Sequence, residues 1–481
     1  MRPHRSAVKD NVNNKKQANK GKQKKPGKSA LVRHPLTALM LASGMLPGWS
    51  YANTIETDGS TDTIVNTDDN LTDIHTNTQR GRAGFNSFNH FQITEGNVVN
   101  LHLPGAATHL VNLVHDSRTV INGTLNSVMD GNIGGHVIFA DPHGFVVGSS
   151  GVVNVGSLTV STPNTSEMGR LRDLAENDAA SVEEANALID DLLAGQLAQA
   201  PLAADGSNAI VIQGLVNTNG SINLHGASVL LEATANLNAG NDTARDLFES
   251  TVNTHGLSIG TAAARDDGGI RIVANEDVEI AGELAALMAD DSGAQIQVAA
   301  GKSVRVDGDA QLLADGANNA SGGEVTLEAP ALTLADNARI SVRAEGAGNS
   351  GDITLNAFSD ISCSFCDESA EAETLDELKD GIDGQVNPWL AANLGKASIQ
   401  IGENVELDAG HDEADQAGSI TLDALAWNRQ LAGYAKASAL VEVDGTLTAG
   451  DIDINAVSRA QVARDVLGTI LDQDQLKEDI Q

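Results

Sequence analysis

The sequence predicts an all-β fold, a right-handed parallel β-helix with an external helical insertion and an amphipathic C-terminal segment placed to cap it. Three observations carry this expectation. Short strands of period-two apolar alternation recur along the body, and Gly, Asn and Asp turns separate them. Aromatic residues make up only 3% of the 481 residues. Strands too short to stand alone need stacked neighbours to bury their apolar face, which a coil repeat supplies. A β-sandwich would instead show strands every 8–12 residues or so, hairpin turns and a more aromatic core.

The first element, residues 1–52, reads as an extended signal peptide. Residues 1–34 hold 11 Lys and Arg and one acid, Asp10. An uncharged apolar run, 36–49, follows, and Ser50-Tyr51-Ala52 forms a small-x-small site, so cleavage is expected after Ala52. Fourteen residues rising ~1.5 Å each span about 21 Å, short of a ~30 Å bilayer core. A nucleic-acid-binding tail would explain the basic residues but not the apolar run and cleavage site. The body that remains carries a net charge of −45 within a whole-chain value of −35. Such a body repels nucleic acid and anionic membranes.

Residues 53–260 form the next segment, interrupted at 164–205. There Ser181-Val182-Glu183-Glu184 is a capping box, and Ala185, Leu188, Ile189, Leu192 and Leu193 follow at helical spacing. This predicts a helical insertion on the outside of the coils. Over 261–456 the repeat is clearest. Anchored on Ile270, Ile296, Val325, Ile353, Ile399, Ile420 and Ile452, its steps are 26, 29, 28, 46, 21 and 32 residues. Second strands of the same kind lie between anchors, as in Val278–Ile280, Val304–Val306, Leu332–Leu334 and Val405–Leu407. At ~25 residues per coil and ~4.8 Å per rung, about 17 coils would stack, with a Val, Ile, Leu and Ala core too narrow for many rings. In 457–481, Val462, Val466 and Ile470 repeat every four residues, as do Ala463, Leu467 and Leu471. A helix covering the last open strand edge and a coil stack continuing past Gln481 both fit this pattern.

Several motifs point to known chemistry and are set aside. Asp141, His136 and His143 lack any metal-ligand spacing, so turn and surface roles are expected and no metal or cofactor is implied. Cys363-Ser364-Phe365-Cys366 has no second C-x-x-C, which excludes a zinc ribbon and leaves a local disulfide in an exported chain. The acidic turns lack an EF-hand or nonapeptide calcium pattern. Arg271, Arg305, Arg339 and Arg343 recur singly, with no carboxylate constellation evident beside them, so no enzyme is expected.

The stretches 85–101, 117–125, 135–148 and 151–162 resemble the secretion domain of two-partner-secretion exoproteins, the filamentous-haemagglutinin family. The family's Asn-Pro-Asn-Gly-Ile motif falls on Asp141-Pro142-His143-Gly144-Phe145, with Pro and Gly kept. That departure is similar to leukotoxin-like filamentous adhesins; Asn122 and Asn154 belong to the same motif set, and 210–231 continues it more weakly. The resemblance implies a β-helical exoprotein captured unfolded by the periplasmic POTRA domains of an outer-membrane β-barrel transporter, then secreted to the surface of a Gram-negative cell. It further implies an adhesin with a host or bacterial surface receptor, with a haemolysin, a cytotoxin or the stalk of a contact-dependent toxin as the rival reading. From the residues alone, Asp-Pro-x-Gly is a type I or II turn between apolar strands, able to set coil register.

Overall fold

A computed structural model describes residues 53–177, 179–240, 269–288, 292–317, 319–344, 346–361, 396–428 and 437–460. The chain divides into units 1–43 and 44–481, and every described residue belongs to the second. The expected signal peptide with its Ala52 cleavage site, the Cys363–Cys366 pair and the C-terminal helix over 461–481 lie outside the described residues.

The fold is a parallel β-helix. Each coil contributes one strand to each of three parallel ladders. The first ladder runs through Ala83–Ile93, His109–Val114, His136–Ala140 and Ser157–Ser161, then on to Asp451–Ala460. The second follows Thr119–Ile121, Phe145–Val147, Ile210–Ile212 and Val229–Leu231. The third follows Leu71–Thr76, Val98–His102, Thr124–Met129 and Val152–Val155. At the start of the stack the strands are antiparallel instead: Thr54–Thr57 pairs with Ala83–Ile93, and Thr63–Asp68 with Leu71–Thr76. They cover the first parallel rung, whose N–H and C=O groups would otherwise be unpaired.

Period two explains the later coils. In Ile270–Ala274 and Gln295–Ala300, buried residues alternate with half-exposed or exposed ones, and Ile270, Ile272, Ile296 and Val298 fill the interior. The first coils read differently. His109–Val114 and His136–Ala140 are buried at every position because both faces are covered. Val137 and Phe139 face the coil interior, whereas Ile138, Ala140, Val111, Leu113 and Phe85 pack outward against two helices. These are α1 (Thr165–Glu176), capped by Asn164, and α2 (Val182–Leu193), whose Ser181 and Glu184 form a reciprocal capping box.

Three sequence expectations change. The anchor Ile399 does not belong with the others: it lies on the second ladder beside Leu332, and Val405–Leu407 overlaps the third-ladder strand Glu406–Asp408, not the second ladder. The first ladder passes directly from Ile353 to Ile420, a coil of 67 residues. All three faces share one alternation, so period alone does not say which face a strand joins. The first ladder therefore has eleven rungs among the described residues rather than about 17. Segments such as the helical hairpin leave the coil and lengthen the chain without adding a rung.

Aromatic rings do enter the core. Phe88, Phe91, Phe139 and Phe145 are fully buried, with successive ring centroids 5.1, 5.3 and 5.3 Å apart in tilted or edge contacts. Phe88 and Phe91 come from one strand, and Phe139 and Phe145 from consecutive strands of a single later coil, so the rings form one cluster inside the first coils.

Corners impose a stricter demand than the core. A Cβ on Gly151 would lie 2.1 Å from the Ile121 carbonyl oxygen, and one on Gly214 2.3 Å from that of Gly151. Consecutive coils touch backbone to backbone there, and only glycine fits. Gly151→Val is expected to lower stability by at least ~3 kcal/mol through the clash with Ile121. A urea unfolding midpoint unchanged from the parent would contradict that packing.

Candidate functional site: the 141–145 turn and its braces

The Asp141–Gly144 turn links a first-ladder strand to the second-ladder strand Phe145–Val147. Gly144 N–H donates to the Asp141 carbonyl at 3.2 Å, closing a four-residue turn. Gly144 alone among these residues has positive φ, at 100°, so His143 is not in the left-handed region and the type II alternative is excluded. A Cβ at Gly144 would meet the Ala209 oxygen and the Asn208 Cα, each at 2.8 Å. The turn is pressed against the coil that follows.

Asp141 is 0% exposed. Its Oδ2 accepts from Thr119 N–H at 2.7 Å and from the Thr119 hydroxyl at 2.8 Å, reaching back one coil. Its Oδ1 accepts from His143 N–H at 2.8 Å and lies 3.5 Å from His143 Nδ1. Asp141 N–H donates forward to Ser161 O at 3.0 Å, and Phe145 N–H to Ala209 O at 3.3 Å. One residue thus ties three consecutive coils together. Burial pushes the Asp141 carboxyl above the usual carboxylate range, against the pull of its His143 and Thr119 donors. The half-exposed His143 imidazole is raised in turn by its contact with that carboxylate.

The other predicted site residues do not converge on this turn. Asn122 follows the strand that begins at Thr119. Its N–H donates to Ile93 O at 2.8 Å, its carbonyl accepts from the Ser150 hydroxyl at 2.8 Å, and its Oδ1 fills the space a Cβ on Gly148 would need. Asn154 sits on the third ladder in a buried amide row. Asn126 Nδ2 donates to Asn100 Oδ1 at 3.0 Å, Asn154 to Asn126 at 2.9 Å, Asn217 to Asn154 at 3.2 Å and Asn238 to Asn217 at 3.1 Å. Asp73 closes the row, accepting from Asn100 at 3.1 Å. His136 stacks on His109 at 5.2 Å and bonds the Thr159 hydroxyl at 2.8 Å.

Sequence reading missed the residues that hold the helical hairpin. Arg80 donates to Ala175 O at 2.8 Å and Arg271 to Ala194 O at 2.6 Å, so each helix ends on an arginine from the coil body. Arg82 pairs with Asp190. Asn208 returns the chain to the coil, donating to Pro201 O at 2.9 Å and accepting from Ala203 N–H at 2.8 Å. Carboxylates also lie beside the other strand arginines, which overturns the expectation that they stand alone: Arg305–Asp307 at 2.5 Å, Arg339–Glu406 at 3.6 Å and Arg343–Asp408 at 3.1 Å. Adjacent rungs bring Arg339 and Glu406 into register, a proximity that 67 residues of separation hides.

His225 lies directly beneath the end of α2: a Cβ on Gly195 would fall 1.7 Å from its Nδ1. Neither ring nitrogen has a hydrogen-bond partner. Burial, with a smaller contribution from the Arg271 charge, lowers its pKa to about 4. Its folded value is depressed, so the unfolded chain binds the extra proton, and stability is lost as pH falls from about 6.5 toward 4. A loss on the order of 3 kcal/mol over that window is expected. Urea midpoints measured at both ends should differ by less in His225→Gln than in the parent; identical pH profiles would exclude His225 as the source. Asn126→Ala should cost about 3 kcal/mol at any pH, because it strands the Asn100 oxygen and the Asn154 amide in the amide row, and a loss below 1 kcal/mol would argue against that row.

The family model described as the TPS secretion domain matches residues 52–320, more than half of the chain. No curated protein matches the sequence. Among solved structures, the HMW1 secretion domain from Haemophilus influenzae aligns at 12% identity over 84% of this chain and 99% of its own, with a TM-score of 0.37. A filamentous hemagglutinin secretion domain aligns at 15% identity over 62% of this chain and 99% of its own, with a TM-score of 0.22. On the strength of the family model, this chain belongs to the TPS secretion domain family: it is a secreted exoprotein that passes through the periplasm and crosses the outer membrane by way of a cognate transporter.

Proposed function

We propose that the chain is a filamentous adhesin-like exoprotein of the leukotoxin-like kind, whose N-terminal coils serve both as secretion signal and as nucleus of the β-helix. The observation that carries this reading is the burial of the 141–145 motif. Asp141, Gly144 and Phe145 are buried between neighbouring coils, and only His143 is exposed. A transporter that reads this motif must do so before the coil closes. The POTRA domains of the transporter would therefore hold the segment unfolded in the periplasm. Outside the cell, formation of the Thr119–Asp141–Ser161 links sets the register of three coils, and later rungs add to that template.

Adhesion itself is proposed from the family resemblance and from the long acidic coil surface, which disfavours general attraction to anionic cells and so calls for a specific receptor.

Co-expression with the cognate transporter tests the secretion role. The double variant Asp141→Ala, Gly144→Ala should reduce protein in the medium at least tenfold. Purified and refolded, the same variant should regain β-structure more slowly than the parent. Secretion at the parent level would remove the motif from the export step, and secretion without the transporter would remove the export reading altogether.

A further inference from the structure

The first ladder changes character late in the stack. The rung Glu324–Glu328 has five residues, but Asp352–Ile361, Ser419–Asn428 and Asp451–Ala460 have ten each. Among the described residues the ladder pairs of the added halves are with one another, placing Phe358, Leu425 and Val457 side by side in register. The shorter rungs have already turned away at Ala300–Gly301 and Ala329–Pro330. Between their turns and the overhanging strands lies a groove of about 910 Å³. Phe358 is 48% exposed there, on a surface otherwise rich in acid and poor in aromatic residues.

Two further features define what fits the groove. Its charged lining is entirely acidic: Glu328 and Asp423 contribute carboxylates, and no lysine or arginine lines it among the described residues. Asn356 and Asn455 donate amide hydrogen bonds to these carboxylates, at 3.4 and 2.9 Å, without neutralising them. The backbone is half open as well. Phe358 N–H reaches Ala329 O at 3.3 Å, but among the described residues the strand pairings of Ser359–Ile361 run only to the later strand, Ala426–Asn428. A strand edge with no partner among the described residues, lying beside an apolar groove, is a template for strand addition.

We propose that this groove binds an extended peptide segment of a partner protein, one that alternates apolar residues with lysine or arginine. Its backbone pairs with the edge of Ser359–Ile361 that faces the shorter rungs. Its apolar side chains lie against Phe358, Leu425 and Pro330, and its cations meet Glu328 and Asp423. The acidic lining opposes an anionic lipid surface or a sulfated glycan.

The test uses the full chain and a fluorescein-labelled peptide of alternating lysine and valine, six residues long, followed by anisotropy. Saturable binding is expected, weakened at least tenfold by Phe358→Asn and at least fivefold by Asp423→Asn. Asp130→Asn, on a distant turn, controls for attraction to net charge and should leave binding unchanged. Peptides with serine for valine, or glutamate for lysine, should not bind. Thermal melts followed by circular dichroism check that each variant keeps its fold. Equal affinity of the parent and Phe358→Asn would overturn the proposal. So would failure of the peptide to bind the parent, or binding of a neutral hexasaccharide in its place.

Discussion

Every rung of this molecule depends on the next. A strand of three to six residues neither pairs its own backbone nor hides its apolar face, so each coil is stable only between two others. The ends of the stack and the corners of the coil follow from that constraint. Antiparallel strands at 54–76 close the first rung, and glycines such as Gly151 and Gly214 let successive corners touch. Polar rows are tolerated inside because stacking repeats the same partner. Each asparagine from Asn100 to Asn238 finds an amide one coil away.

The 141–145 segment obeys the same rule. Asp141 is not arranged as a reactive carboxylate: four donor or cationic contacts surround it, and its backbone is bound to the next coil. Its position between a strand of the preceding coil and the return from the helical hairpin makes the turn a register device. A motif buried in this way is accessible only in the unfolded chain, and under the role proposed for it one set of residues would serve both export and folding.

Much of the fold was legible in the sequence. Alternation in Ile270–Ala274 and its successors marked interior positions directly, and the Ser181–Glu184 capping box marked the start of α2. The turn chemistry of Asp-Pro-x-Gly located the site. The role of Asp141 was not legible, because Thr119 and Ser161 stand 20 or so residues away on either side, with nothing local to name them as partners. Ile399 was misplaced for a related reason, since strands on all three faces look alike. The core expected to be too narrow for many rings holds four, because Phe88 and Phe91 of one coil and Phe139 and Phe145 of another gather in edge or tilted contacts inside the first coils.

The sequence by itself determined the strand repeat, the coil architecture, the position of the helical insertion and the turn at 141–145, all of which are written in local periods and turn residues. Only the tertiary structure decided which ladder each strand joins, how many coils the chain makes, and which residues meet across them. Arg271 reaching the end of α2, Arg339 meeting Glu406 and the overhang carrying Phe358 arise from lateral stacking. Neighbours in that direction are set by coil length, and insertions of variable size remove coil length from the local pattern.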